Sequence, residues 1–132
     1  MLKVLLVDDE PFIVQGLSAL IDWEKEEFEI VGTAGNGSEA VEFLKSNPVD
    51  LILADIKMPV MNGLEFLKYI RETHLSEAFF VILSGYGDFT YAKEAIKWQC
   101  TDYILKPIQK SQLLALLSKV KQMQQDKKEE SE

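Results

Sequence analysis

Cysteine and histidine are nearly missing from this chain of 132 residues, which has one of each, Cys100 and His74. A lone cysteine cannot close an internal disulfide, which predicts a reducing compartment. His74 has no partner at metal-ligand spacing, and Cys100 has no histidine nearby to activate it. Basic residues are scarce too. Fourteen Lys and Arg stand against 22 Asp and Glu, a formal charge of −8. That balance argues against nucleic-acid contact by this chain alone. No apolar stretch approaches the roughly 18 residues of a membrane span. The start runs from Met1 straight into an apolar segment, without a basic leader or a cleavage site. Together these absences predict a cytoplasmic protein with no membrane contact.

What is present is a core. Hydrophobic residues make up 47% of the chain and charged ones 27%, as in ordinary globular domains and unlike disordered segments. The length suits a single domain. Strand-like runs fall near 2–7, 29–34, 50–54, 79–84 and 102–105, with helix-period stretches between and after them. Pro11 suits a first helical turn, where its missing N–H is not needed. Ile13, Leu17, Leu20 and Ile21 then share one face. Asn36 with Glu39, and Asn62 with Glu65, have the spacing of reciprocal capping boxes. They open helices with inner faces Ala40, Val41 and Leu44, then Leu67 and Ile70. Asp88 is expected to cap a helix burying Ala92, Ala95 and Ile96. Ser111 is expected to cap the last helix, with Leu113, Leu116, Leu117 and Val120 inward. Five βα units with short connections predict a three-layer α/β sandwich.

After Lys121 the composition turns polar and charged. Residues 122–132 read equally as a solvated tail or as a linker to a following domain.

Four of the apolar runs end on residues able to handle a phosphoryl group. Val7 leads into Asp8-Asp9-Glu10, Ala54 into Asp55, Leu83 into Ser84-Gly85, and Leu105 into Lys106-Pro107. In an open parallel sheet, ligands bind beyond the carboxyl ends of the strands. Three carboxylates, a hydroxyl and a lysine therefore converge. At about 4 Å and an effective dielectric near 20, each like-charge pair costs roughly 4 kcal/mol. Such a trio persists by sharing a proton or by holding a hard cation, and oxygen-only ligands beside a phosphate favour Mg²⁺. Lys106 offers positive charge and Ser84 a donor to phosphoryl oxygens. Asp55 is the candidate nucleophile, since carboxylates form acyl phosphates. Taken singly, each of these is an ordinary cap or turn residue; the set is not.

Val7-Asp8-Asp9-Glu10-Pro11, Ala54-Asp55-Ile56-Lys57-Met58-Pro59 with Met61-Asn62-Gly63, Ser84-Gly85-Tyr86, and Tyr103-Ile104-Leu105-Lys106-Pro107 resemble the receiver domain of two-component response regulators. The match covers about residues 2–121, in the family's order and spacing. The resemblance implies a flavodoxin-like (βα)5 sandwich with a five-stranded parallel sheet of order 2-1-3-4-5. It makes residues 1–121 a receiver domain and 122–132 a linker or tail, with any output domain outside this chain. It implies that Asp55 is the phosphoacceptor and that Asp8, Asp9 and Asp55 form the acidic pocket. Mg²⁺ would be held there, with the backbone carbonyl of Lys57 as a further ligand. Ser84 becomes the switch hydroxyl and Tyr103 the switch aromatic, expected to rotate inward. Lys106 contacts the phosphoryl group, and the Lys106–Pro107 bond is expected to be cis. Lys57 and Tyr86 occupy positions that would tune the lifetime of the acyl phosphate.

Trp23, and the run from Ser84-Gly85-Tyr86-Gly87-Asp88 through Ala92, resemble receivers fused to AraC-type DNA-binding domains. That implies a sensor histidine kinase as donor, an AraC-type output in cis and homodimer formation through the face near 88–121. A stand-alone receiver acting by protein binding is the alternative. Two rivals fit less well. A haloacid-dehalogenase-like phosphatase would carry Asp-x-Asp after its first strand. A flavodoxin-like electron carrier would place a glycine- and hydroxyl-rich phosphate loop where Asp8-Asp9-Glu10 stands.

Overall fold

The computed structural model describes residues 1–85 and 89–131. Five strands alternate with helices: β1 (Leu2–Val7), α1 (Pro11–Leu20), β2 (Phe28–Ala34), α2 (Gly37–Leu44), β3 (Leu51–Asp55), α3 (Gly63–Glu72), β4 (Phe79–Ser84), α4 (Ala92–Lys97), β5 (Asp102–Leu105) and α5 (Lys110–Ser131). The strands form one parallel sheet of order β2-β1-β3-β4-β5, as expected.

The central strands β3 and β4 are apolar up to their last residues, Asp55 and Ser84, because both faces are covered. Alternate side chains therefore serve two cores. Leu5, Val7, Ile52, Ala54, Phe80 and Ile82 pack with Ala40, Val41, Phe66, Leu67 and Ile70 of α2 and α3. Val4, Leu6, Leu51, Leu53, Val81 and Leu83 pack with Leu17, Leu113, Leu116, Leu117 and Val120 of α1 and α5. Phe66 and Phe80 lock the first layer, ring centroids 5.5 Å apart and tilted by 56°. Such a pair adds about 0.5–1.5 kcal/mol beyond area burial. Trp23 is buried in the second layer and donates its indole N–H to the Leu17 carbonyl at 3.1 Å.

Helix starts follow the capping chemistry with local departures. At α3 the box is complete: Asn62 accepts from the Glu65 N–H at 2.9 Å, and Glu65 accepts from the Asn62 N–H at 3.0 Å. At α2, Asn36 accepts from Glu39, but the Glu39 carboxylate takes the N–H of Gly35 instead. Ser111 lies inside α5 rather than at its cap. Gln112 accepts there from the Gln109 N–H at 2.9 Å, so the helix begins two residues earlier than a Ser111 cap would set it.

The fourth helix is shorter than expected. A single 3-10 turn, Phe89–Tyr91, precedes the six residues of α4. Ala95 is fully buried, Ala92 is half-buried, and Ile96 is 72% exposed. The 3-10 turn sets the helix phase so that Ala95 faces the sheet, and the next position, about 100° round, faces outward. Asp88, expected as the cap, lies outside the described residues. At the other end α5 does not stop near Lys121; it continues as helix to Ser131. Among the described residues no helix is long and apolar enough to cross a membrane.

Candidate functional site

Register brings the four strand ends together. Val7 pairs with Ala54, so Asp8 follows β1 level with Asp55, the last residue of β3. Asp55 pairs with Leu83 and Ser84 with Leu105, which sets Ser84 and Lys106 along the same edge. The carboxylates of Asp8, Asp9 and Asp55 each offer an oxygen within 4.8 Å of the other two. Asp8 and Asp55 are each 7% exposed, whereas Asp9 opens to solvent.

Each buried carboxylate divides its oxygens between backbone and lysine. Asp8 Oδ1 accepts from the Glu10 N–H at 2.9 Å, and Asp55 Oδ1 from the Ile56 N–H at 2.7 Å. The opposite oxygens meet Lys106 Nζ, Asp8 Oδ2 at 2.7 Å and Asp55 Oδ2 at 3.1 Å. One ammonium thus stands against three carboxylates, a local deficit of positive charge. Burial raises the Asp55 pKa above its ordinary value, and Lys106 opposes this without cancelling it. Burial pulls Lys106 down, but its hydrogen bond to Asp8 and the charge of Asp55 outweigh that and leave its pKa raised. All-oxygen donors with two negative charges left uncompensated suit a hard divalent cation.

Ser84 is fully buried. Its hydroxyl donates to the Gly85 carbonyl at 3.0 Å and accepts from the Tyr103 hydroxyl at 3.1 Å. The Tyr103 phenol, expected to rotate inward, already reaches Ser84 in this arrangement. For Ser84 to donate to a third group it must release Gly85. Lys57 is exposed on the loop after β3, beside a cleft of about 350 Å³ that Asp9, Met58, Asn62 and Tyr91 also line. Tyr86 lies outside the described residues. The Lys106–Pro107 bond is cis. Cys100 is half-buried and His74 exposed, both away from these strand ends.

Gly63 matters in a way its motif alone does not reveal. A β-carbon there would strike the backbone carbonyl of Asp55, while the Gly63 N–H donates to the Ile56 carbonyl at 2.8 Å. The first turn of α3 is therefore pressed directly against the chain segment carrying Asp55. Gly63→Ala is expected to cost about 3 kcal/mol in urea unfolding and to weaken divalent-cation binding, because backbone rather than a flexible side chain must yield. Asn62 and Tyr91 also escape a reading of strand ends. Asn62 was legible as a helix cap and as part of the Met61-Asn62-Gly63 motif, and no local signal marks Tyr91 as a wall of the cleft.

A 2-1-3-4-5 parallel sheet with acids and a lysine at its carboxyl edge defines a flavodoxin-like α/β domain of the receiver type. The response regulator receiver domain family matches residues 4–118, and the chain belongs to that family. Over 120 residues it is 39% identical to the uncharacterized transcriptional regulatory protein YesN of Bacillus subtilis, covering 91% of this chain and 32% of that protein. The chain thus spans about a third of that relative's length. The receiver domain of AraT, a response regulator from Geobacillus stearothermophilus, superposes with a TM-score of 0.88 at 38% identity, covering 96% of this chain and 98% of that one. A two-component transcriptional regulator AraC from Clostridium phytofermentans gives 0.82 at 33% identity, covering 92% and 94%.

Proposed function

We propose that this receiver is a phosphorylation switch in which Asp55 accepts a phosphoryl group from the phosphohistidine of a sensor histidine kinase or from a small acyl phosphate. The carrying observation is the placement of Lys106 between Asp8 and Asp55 within the three-carboxylate cluster. In the transfer, Asp55 Oδ2 forms the new P–O bond as the donor's bond to phosphorus breaks, and the donor leaves with the electron pair. Asp8, Asp9, Asp55 and the Lys57 carbonyl would hold Mg²⁺, which would offset charge on the phosphoryl oxygens. Lys106 keeps Asp55 oriented through its ion pair and supplies a fixed positive charge on the opposite side. Ser84 leaves Gly85 to donate to a phosphoryl oxygen. Tyr103 follows Ser84 or repacks beside it, a shift between two packings rather than a new fold.

The altered face comprises α4, β5 and α5, in the region 88–121. It would carry homodimer formation or contact with an output domain. The similarity to transcriptional regulators and to receivers of AraC-type regulators supports an AraC-type DNA-binding output in a longer protein. In that reading residues 1–121 are the receiver and 122–132 lead toward the output.

Cation binding is the direct test of the pocket. At a Mg²⁺ concentration about a hundredfold above its Kd, binding should add about 2.7 kcal/mol to stability, read as a rise in thermal midpoint. Asp9→Asn should remove most of that rise while leaving the cation-free midpoint close to wild type, since Asp9 is exposed. An equal Mg²⁺ response in both proteins would overturn the assignment of Asp9.

A further inference from the structure

Arg71 leaves the last turn of α3 at the end of the sheet opposite the acidic cluster. Its Nη1 donates to the Ser76 carbonyl at 3.0 Å, and its Nη2 to the Ala78 carbonyl at 2.9 Å and the Gln99 carbonyl at 3.3 Å. The first two acceptors belong to the α3–β4 connection; the third belongs to the turn between α4 and β5. One planar guanidinium thus fastens two connections that are far apart in sequence.

That turn has one fixed and one dependent end. Thr101 is pinned to β4, its N–H donating to the Phe80 carbonyl at 2.6 Å and its hydroxyl accepting from the Phe80 N–H at 3.1 Å. Gln99 instead closes α4, its N–H bonded to the Ile96 carbonyl, with Cys100 bonded back to Ala95. Its φ of 63° lies in the left-handed region, which costs a non-glycine residue on the order of 1 kcal/mol. Strained turns of this kind are where a bistable element can pivot.

The same turn borders the far part of α5. Met123 shares a hollow of about 340 Å³ with Arg71, Gln99, Cys100 and Thr101. Lys127 Nζ lies 5.8 Å from the Phe79 ring centroid. No side chain from 121 to 130 is fully buried, so this stretch is held lightly and is easily repositioned. On the other side of the turn, Tyr91, Trp98, Cys100 and Tyr103 pack against the core that holds Ala95, and Tyr103 is bonded to Ser84.

We propose that Arg71 is a positioning residue that couples the phosphoryl site to the C-terminal stretch of α5. By tying Gln99 to the α3–β4 connection, it makes any displacement of α4 pivot at Gln99. Rotation about that point reorients Gln99 and Cys100 in the wall of the hollow that Met123 shares, and with it residues 121–131. The inference rests on the phosphorylation reading above and extends it to the direction in which the signal leaves the domain.

The test uses the full chain with Mg²⁺, with and without beryllofluoride as the phosphoryl mimic. Fluorine NMR reads occupancy of Asp55, and amide exchange reads residues 121–131. In the wild type, occupancy should change exchange there by about fivefold or more. Arg71→Met and Met123→Ala should each reduce that change to under about twofold at unaltered occupancy. Arg71→Lys, which keeps the charge but reaches fewer carbonyls, should restore part of it. Met123 lies on a lightly held surface, so its variant guards against an Arg71 variant that fails to fold. A wild-type response that survives both truncations would overturn the proposal, as would full occupancy with no change at 121–131. Failure of the wild type to bind beryllofluoride would overturn the site reading and this inference with it.

Discussion

Acetyl phosphate with Mg²⁺ is expected to place one phosphoryl group on Asp55, and Asp55→Ala should reduce labelling to background. Intact-mass measurement and mapping of the acyl phosphate check this. Equal labelling of the variant, or labelling without a divalent cation, would overturn the assignment. The same substitution carries a second expectation of opposite sign. Burial raises the Asp55 pKa in the folded state, so the folded protein holds its proton more tightly than the unfolded chain does. Stability therefore falls as pH rises from the ordinary carboxylate value through the raised one. At neutral pH, Asp55→Ala and Asp55→Asn should be more stable than the wild type by about 0.5–2 kcal/mol. The difference should disappear in acid below the ordinary value, where Asp55 is neutral in both states.

Lys106→Ala should produce the largest loss. It removes the only ammonium bonded to Asp8 and Asp55 among the described residues and leaves two buried carboxylates facing each other. Breaking a buried pair by removing one partner costs about 3 kcal/mol or more. Urea unfolding in EDTA at neutral pH should show a loss of that order. Mg²⁺ should recover part of it by replacing the missing charge. Acid should recover part as well, because protonation of Asp55 removes one of the repelling charges. In the wild type the direction is the same, but the window set by Lys106 lies at high pH. The raised Lys106 pKa means that its stabilisation is fully present below the ordinary lysine value and is lost only as pH rises through the raised one. The variant should still accept phosphate on Asp55 but fail to transmit it, because the phosphoryl group lacks its fixed positive partner. Phosphorylation-dependent exchange changes across α4, β5 and α5 identical to those of the wild type would refute this.

Much of the site was legible before folding because its residues sit where apolar runs end. A run such as Leu51-Ile52-Leu53-Ala54 declares a buried strand, and its polar terminus has to lie at the sheet's edge. Once the strands are parallel, Asp8, Asp55, Ser84 and Lys106 can only lie along one edge. Reading the alternating β and α patterns needed no long-range information. Composition excluded disulfide scaffolds and membrane spans, and charge spoke against nucleic-acid contact by this chain alone. The 2-1-3-4-5 order came from family resemblance, since hydrophobic pattern does not say which strand lies beside which.

Tertiary contacts decided the remainder. The phase of α4 depends on a 3-10 turn that no propensity marks, so Ile96 reads as core in sequence and faces solvent in the fold. The sharing of Lys106 between Asp8 and Asp55, rather than capture by one of them, follows from strand register to within an ångström. Tyr103 reaches Ser84 because β4 and β5 pair Ile82 with Tyr103, two residues before Ser84. Gly63 is sterically constrained only because α3 returns against the Asp55 backbone. Arg71 shows the same limit: in sequence it is one helical arginine, and only folding brings the carbonyls of Ser76, Ala78 and Gln99 within its reach. Local pattern carries the period of burial and the chemistry of strand ends. Distances between side chains from different strands and helices arise only when the sheet is assembled and its layers are packed.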